Sequence, residues 1–312
     1  MTKMAGKAWF VVLVLAVGLS GCPKPTPPPD PLQNKTYTLE YKGPKKRVGI
    51  VKFDNKASYA KKKRVGEAIV DIVTTELAKT KAFIVVERAE LDKVLQEQAL
   101  GQSGAVNPAT AAKAGRVLGL QSLLIGTISE FGVTPSATDL VLFKQKKQEA
   151  KATVDVRLID ATTGQILYAD SGSGAGSVTY REFLGMGAKG GYDESLEQFA
   201  VRSAVVQFMQ NLINQLGKTE WYGKVVKANA GEGTAIVNAG QETGLNVGDK
   251  IVVNTLGETL TDPDTGMELG QELGPVVGEL EVVSFFGRDA AKCKIVSGRS
   301  TIQAGQQVSL KK

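Results

Sequence analysis

Histidine is absent from this chain of 312 residues. Its absence excludes serine–histidine and cysteine–histidine nucleophiles, histidine general bases and most zinc sites. Carboxylate pairs, lysine chemistry and metals with oxygen ligands remain possible, but no spacing of acidic residues singles out such a site. We therefore expect a protein that is not an enzyme and that needs neither a cofactor nor a metal.

Cysteine is scarce, since the chain contains only Cys22 and Cys293. If Cys22 is modified, Cys293 has no partner in the mature chain and no intrachain disulfide forms. Cys293 lies in the β-like run Ala290–Val296, where we expect a small buried hydrophobic side chain. A large charge excess is also missing: the net charge of +6 falls to about +4 if Lys3 and Lys7 leave with a signal peptide, and we expect no nucleic-acid partner.

A long apolar run is missing near the N-terminus. The run Ala8–Leu19 is shorter than the about 20 residues that a transmembrane helix needs. Two lysines precede it and Leu19-Ser20-Gly21-Cys22 ends it, which is typical of a lipoprotein signal peptide with its cleavage motif. We predict cleavage before Cys22 and a lipid such as palmitate on its thiol. An ordinary cleaved signal and a buried helix with a chance cysteine are the alternatives.

The remaining composition is that of globular domains, at 42% hydrophobic and 22% charged residues. Residues 1–21 are assigned to the signal peptide. Residues 22–45 begin with the proline-rich run Pro23–Pro29, which favours an extended tether. The rest is long enough for two domains, which we place at residues 46–217 and 218–312.

Residues 46–217 alternate between β-branched runs and segments with helical spacing of apolar residues. This order predicts a mixed sheet covered by helices on at least one face. The predicted strands are Arg47–Phe53, Phe83–Val86, Ser122–Ile128, Lys151–Asp160 and Gln165–Tyr168, and the predicted helices are Lys63–Lys79, Ala89–Ala99, Ala109–Leu118 and Asp193–Leu216.

Residues 218–312 change to short strands separated by glycine, which predicts a small all-β barrel or sandwich and gives the whole chain an α+β fold class. The six predicted strands are Trp221–Ala228, Thr234–Asn238, Lys250–Thr255, Gly278–Phe286, Ala290–Val296 and Gln306–Leu310.

Two short motifs suggest ligands only weakly. The run Gly185–Gly190 matches a dinucleotide fingerprint before a helix, but the acidic residue expected about 20 positions later would fall inside that helix. A hairpin tip is the favoured interpretation. Asp262, Asp264 and Glu268 could suggest a calcium loop, but their spacing departs from the EF-hand pattern and favours an acidic β-turn.

Several segments of the first domain resemble the curli secretion channel (CsgG-like) family of lipoproteins, over about residues 46–216. The similar segments are residues 48–55, 83–98, 118–131 and the turn at 160–167; the most specific are Glu87-Arg88 with Leu91, and Gly119–Phe131. The resemblance implies a ring in the outer membrane, in which each protomer contributes two β-hairpins to a shared barrel. By position these hairpins would be residues 132–155 and 169–192.

The residues of these two segments fit a membrane barrel poorly. Lys144–Glu149 places charge on both faces of a strand, and one lysine facing lipid at the bilayer centre costs about 2–4 kcal/mol. The second segment is rich in glycine, which specifies strand register weakly. We therefore expect solvated loops on a membrane-tethered periplasmic domain. A true pore is the alternative, with the lysines beyond the bilayer at a hairpin tip.

The second domain resembles the C-terminal domain of flagellar assembly protein T (FlgT-like), over about residues 221–310. The similar segments are residues 223–226, 235–240, 244–250 and 262–266, of which Gly244–Asp249 is the best match. By analogy of fold, small barrels of this type provide surfaces for protein contact.

Together these features predict a lipid-anchored envelope protein that forms a homo-oligomer. Pro23 follows Cys22 directly, with no aspartate to favour retention in the inner membrane, so we expect an outer-membrane lipoprotein that faces the periplasm. The expected role is a non-catalytic assembly or secretion scaffold. The alternatives are a ring-forming β-barrel secretion channel and an enzyme acting on an envelope polymer.

The lipid assignment predicts that labelled palmitate attaches to the wild-type protein and not to Cys22→Ala, because only Cys22 follows the cleavage motif. Metabolic labelling followed by gel electrophoresis measures this. Cys293→Ala is the matched control and should keep wild-type labelling. Equal labelling of wild type and Cys22→Ala would contradict the assignment.

Overall fold

The structure is a computed structural model, and it describes residues 29–57, 65–86, 89, 91, 119–139, 143–183, 186–187, 194–264 and 268–311. The lipidation motif at residues 19–22, the predicted helix Ala109–Leu118, the predicted helix Ala89–Ala99 except for residues 89 and 91, and most of the glycine motif at 185–190 lie outside these residues.

The N-terminal domain contains a six-stranded sheet in the order β2-β1-β3-β4-β5-β6. Strand β1 pairs in parallel with β2 and β3, while the pairs from β3 to β6 are antiparallel, so the sheet is mixed and the fold is α+β as expected. Its elements are β1 (Lys46–Asn55), α1 (Val65–Lys79), β2 (Phe83–Val86), β3 (Ser122–Asp139), β4 (Phe143–Asp160), β5 (Ile166–Phe183), β6 (Met186–Gly187) and α2 (Glu194–Lys218).

Strands β3, β4 and β5 are each 18 residues long, so the predicted loops are wrong where the structure describes them. Pairing of β3 with β4 continues to Asp139 opposite Lys144, and pairing of β4 with β5 continues to Phe143 opposite Phe183. Backbone hydrogen bonds hold a strand whatever the polarity of its side chains. The charged segment of β4 therefore remains a strand because it has a partner on each side.

Helices α1 and α2 cover one face of this sheet. Alternate residues of β4 from Ala150 to Leu158 point towards the helices and are buried. On α2 the buried stripe runs from Leu196 to Leu216, as the helical spacing predicts. The opposite face holds a smaller core at the base of β1, β3 and β4, formed by Val51, Leu91, Leu120, Leu123, Ile159 and Ala161.

The glycines of β5 determine how closely α2 approaches the sheet. A Cβ atom on Gly172 would lie 2.0 Å from the carbonyl oxygen of Ala204, and one on Gly174 would lie 2.0 Å from that of Ala200. The residues that alternate with these glycines, such as Ser173 and Ala175, are exposed on the other face. The expectation of weak register is therefore wrong, because a shift by one residue would press side chains into the helix backbone.

The C-terminal domain is a closed barrel of six strands in the order β10-β11-β8-β7-β12-β9. Its core includes Trp221, Leu280 and Cys293, and burial raises the pKa of the Cys293 thiol to about 12. This thiol is therefore protonated and unreactive at neutral pH. The strands are β7 (Gly223–Asn229), β8 (Thr234–Val237), β9 (Lys250–Thr261), β10 (Glu268–Phe286), β11 (Ala290–Ser297) and β12 (Gln307–Leu310).

Strands β9 and β10 are longer than predicted and form an arm that returns to the N-terminal domain. A Cβ atom on Gly270 would lie 3.0 Å from the Thr163 methyl group, so the arm touches the turn between β4 and β5. Near its tip the Asp262 carboxylate accepts the Asp264 backbone N–H at 3.0 Å, as in an acidic turn. Within the described ranges, no group of three possible metal ligands occurs.

Replacing Gly174 by alanine should destabilise the N-terminal domain by about 1–3 kcal/mol, because the added methyl group overpacks the contact with α2. Chemical unfolding followed by circular dichroism measures the change. Gly132→Ala is the matched control: Gly132 also lies in a strand, but its added Cβ would meet nothing within 4 Å. Equal stability of Gly174→Ala and Gly132→Ala would contradict the close packing of α2.

Candidate functional site

Within the segment predicted as a proline-rich tether, the chain is docked on α2 from Asp30 onwards. The Asp30 carboxylate lies 3.2 Å from the Arg202 guanidinium, and Leu32 is buried. The Gln210 side chain holds both backbone groups of Thr38: its carbonyl accepts the N–H at 3.1 Å and its amide donates to the C=O at 2.7 Å. We call residues 30–45 the strap.

Lys46 closes the strap at the C-terminal end of α2. Its ammonium donates to the carbonyls of Leu216 at 3.0 Å and Gly217 at 2.6 Å, and it lies 3.8 Å from the centre of the Tyr41 ring. Carbonyls at a helix C-terminus and the face of an aromatic ring both attract a cation. Burial nevertheless lowers the pKa of Lys46 to about 8. Lys46 therefore fixes the strap, β1 and α2 together at neutral pH.

The course of the strap distinguishes the end of the N-terminal domain where the strap enters from the end that adjoins the barrel. It runs parallel to α2, with Asp30 beside Arg202 and Lys46 beside Leu216. The barrel follows directly after the C-terminus of α2, so the strap enters the domain on the side away from the barrel. Cys22 precedes Asp30 by eight residues and can lie at most about 28 Å from it.

The strands β3 and β4 project beyond the helix-covered core at the end where the strap enters. Core contacts on these strands stop at Val133 and Ala150. Residues 134–139 and 143–149 therefore form what we call the distal ends of the two strands. The structure describes six residues of the first end and seven of the second.

The distal end of β4 carries charge on both faces, as its sequence predicts. Glu149 lies 3.4 Å from Lys147 and 3.6 Å from Lys151, and these ammonium groups lower the pKa of the Glu149 carboxyl. Lys146 is exposed and lies on the other face of the strand. Both faces of this end are therefore suited to water.

The two domains are joined by an ion pair at a polar junction. The Arg47 guanidinium, on β1, lies 2.8 Å from the buried carboxylate of Asp289, in the barrel. Asp289 also accepts the backbone N–H groups of Gly240 and Thr243 and the Thr243 hydroxyl. Burial alone would raise the pKa of Asp289, but the hydrogen bonds from Thr243 and the Arg47 charge outweigh it and lower the pKa overall.

Gln121 and Tyr222 complete the junction. The Gln121 side chain accepts the backbone N–H of Arg47 at 2.6 Å and donates to the Tyr222 carbonyl at 2.9 Å. The Tyr222 hydroxyl donates to the Leu120 carbonyl at 3.1 Å. The hydrophobic cores of the two domains stay separate, so these polar contacts fix the barrel relative to the sheet.

Sequence reasoning missed every residue of the strap contacts and of the junction. Arg47 and Asp289 are 242 positions apart, and no local pattern marks them as partners. The residues that it did select, Leu19, Ser20, Gly21 and Cys22, lie outside the described residues, so lipidation stays a prediction. Among the described helices, none is both long and apolar enough to cross a bilayer.

The family model of the curli production assembly/transport component CsgG matches residues 37–242. The chain therefore belongs to the CsgG family, which places it among bacterial cell-envelope proteins. The match confirms the resemblance seen in the first domain and extends it in both directions. It begins within the strap and continues through β8 of the barrel.

Known proteins are similar to this chain at lower identity. A relative from Neisseria meningitidis serogroup B, named as a lipoprotein (NMB1126/NMB1164), is 27% identical over 221 residues, covering 68% of this chain and 95% of that protein. Lipoprotein GNA1162 from Neisseria meningitidis is 17% identical, with 53% of this chain and 99% of that chain covered and a TM-score of 0.32. The LpoB C-terminal domain from Salmonella enterica is 16% identical, with 46% and 87% covered and a TM-score of 0.31.

Replacing Asp289 by asparagine should destabilise the fold by about 2–4 kcal/mol at pH 7, because the Arg47 charge loses its partner and three donors lose a charged acceptor. The folded-state pKa of Asp289 is lowered, so its stabilising charge is present above the unfolded value of about 3.9 and is lost as the pH falls through the folded value. The difference between wild type and variant should therefore narrow below about pH 4.

Urea unfolding at pH 7, 5 and 3 measures these differences. Glu242→Gln is the control, since Glu242 faces the exposed Arg288 at 3.8 Å and such surface pairs contribute little. A difference that stays constant from pH 7 to pH 3 would mean that the Asp289 charge does not stabilise the junction.

Proposed function

We propose that this protein is a lipid-anchored component of an envelope assembly or secretion system, acting as a non-catalytic oligomeric scaffold at the outer membrane and facing the periplasm. The observation that supports this most is the docked strap. Its first docked residue, Asp30, lies at the end of the domain opposite the barrel. A lipid anchor on Cys22, eight residues earlier, would therefore hold that end at the bilayer and direct the barrel away from it.

The proposed oligomer uses the open edge of β5. The Gln207 side chain binds the backbone N–H and C=O of Ser173, which therefore point away from β4. Ala175, Ser177 and Thr179 share this orientation, and their outward backbone groups bind no other residue that the structure describes. An unprotected edge is a template for pairing with another chain. A second copy is the partner that fits a homo-oligomer.

The barrel is the proposed surface for envelope partners. Its exterior exposes large apolar side chains, among them Val226, Val283 and Phe286, at about half of their full accessibility. The resemblance to the FlgT C-terminal domain agrees with a role in protein contact. The lack of histidine in the sequence supports a role without catalysis.

A secretion channel of the curli type is the alternative function, since the family includes an assembly and transport component. The charge on both faces of the distal end of β4 favours the scaffold over the channel, because a strand that crosses a bilayer turns one face to lipid. Lys146 and Lys147 would also lie near the middle of such a strand, where charge facing lipid is costly.

Replacing Ser177 by proline should turn the oligomer into a monomer. Proline removes an outward N–H, which β4 does not use, and so it should block edge pairing while the domain stays folded. Light scattering during gel filtration of the lipidated protein in detergent measures the mass. Ser177→Ala is the matched control and should assemble like wild type. A monomeric wild type would contradict the scaffold, and assembly of Ser177→Pro would exclude this edge.

Planar-bilayer recording on the same wild-type preparation separates the two functions. The scaffold predicts discrete oligomers by electron microscopy and no stepwise conductance. Reproducible conductance that is lost in Ser177→Pro would favour the channel.

A further inference from the structure

A cleft of about 540 Å³ lies between the two domains, beside the junction. Its walls come from the ends of β4 and β5, the C-terminus of α2, and the β9–β10 arm of the barrel. This volume is in the range of ordinary ligand pockets. The cleft is therefore large enough for several residues of an extended chain.

Two exposed leucines face this cleft from opposite domains. Leu167, on β5, is 45% exposed, and Leu273, on β10, is 50% exposed. Each lies at an irregularity of strand pairing: Leu167 is the extra residue where β4 and β5 shift register, and Leu273 is flanked by two register shifts of β10 against β9. Bulges redirect side chains and are frequent beside functional sites. The backbone of both walls therefore turns an apolar side chain towards the same space.

Two glutamines provide unused hydrogen-bonding groups in the same cleft. Gln215, on α2, and Gln307, on β12, line it and are half-buried, and within the described ranges their side chains form no hydrogen bond. Elsewhere in this protein, Gln210 and Gln207 each bind both backbone groups of one residue in an extended segment. A primary amide offers a donor and an acceptor side by side, which complements a peptide backbone.

We propose that the cleft binds an extended segment of a partner protein that carries an apolar side chain, with Leu167 and Leu273 packing against that side chain and Gln215 and Gln307 binding the flanking backbone. Recognition of an extended peptide commonly combines backbone hydrogen bonds with pockets for alternate side chains. The described charges lining the cleft are Asp160, Lys218 and Glu220, a net charge of only −1, so the cleft suits a largely uncharged segment.

This site gives the proposed scaffold a place to hold a partner, but its test does not depend on anchoring or oligomerisation. The probe is a library of random dodecapeptides displayed on phage and selected against the immobilised chain beginning at residue 23. Enriched sequences are synthesised with a fluorescent label and their binding is measured by anisotropy.

The matched variants are Leu167→Ser with Leu273→Ser, in the cleft, and Val247→Ser with Val296→Ser, on the barrel outside the cleft lining. All four side chains are about half exposed or more, so neither variant should unfold, and thermal melting checks this. We expect the selection to enrich a peptide with an apolar residue between uncharged ones. The cleft variant should bind this peptide at least about tenfold more weakly. The barrel variant should bind it as tightly as wild type does. Gln215→Ala with Gln307→Ala should also weaken binding, without a change in apolar surface.

Three results would overturn the proposal. One is the lack of any enriched peptide, and another is binding that the cleft variant leaves unchanged. The third is displacement of the peptide by oligomers of N-acetylglucosamine whose own binding is lost in the cleft variant, which would assign the cleft to a glycan.

Discussion

The close contact between α2 and the backbone of β5 is the constraint on which the rest of the structure depends. Because positions 172 and 174 are glycines, the backbone of α2 packs directly against β5, with no side chain of these two residues between them. A helix held at this distance has a fixed rotation and a fixed position along the strand. Two other described parts are arranged around α2: the strap lies along its side, and the barrel follows its C-terminus.

Polar contacts hold the strap on α2 and fix the barrel relative to the first domain. The strap is held by Asp30 with Arg202, by Gln210 with Thr38, and by Lys46 at the carbonyls of the last turn. The junction uses the same kind of contact, because the two hydrophobic cores do not merge. Hydrophobic burial folds each domain, and directional hydrogen bonds set the angle between them, since burial alone has no preferred direction.

Much of the fold could be predicted from the local periodicity of apolar residues. The barrel strands, the long helix and the short strands of the first sheet each bury an alternating or helical stripe of their own, so their pattern is visible in one segment. The distal ends of β3 and β4 could not be predicted, because Lys144–Glu149 is held by partners on both sides and not by burial. The glycines of β5 suggested a weak strand because the helix that packs on them, α2, lies about 30 residues later in the chain. A local pattern does not show such a distant partner.

The proposed cleft differs from the distal ends in the way its strands are built. Pairing along β3, β4 and β5 is regular through the distal ends, and a regular ladder suits an edge that meets another copy of itself. Beside the cleft, β5 shifts register against β4, and β10 shifts register against β9. At each shift one leucine side chain is exposed: Leu167 on β5 and Leu273 on β10. Leaving these leucines exposed forgoes the stabilisation that burial would give, and packing against a bound segment would supply it.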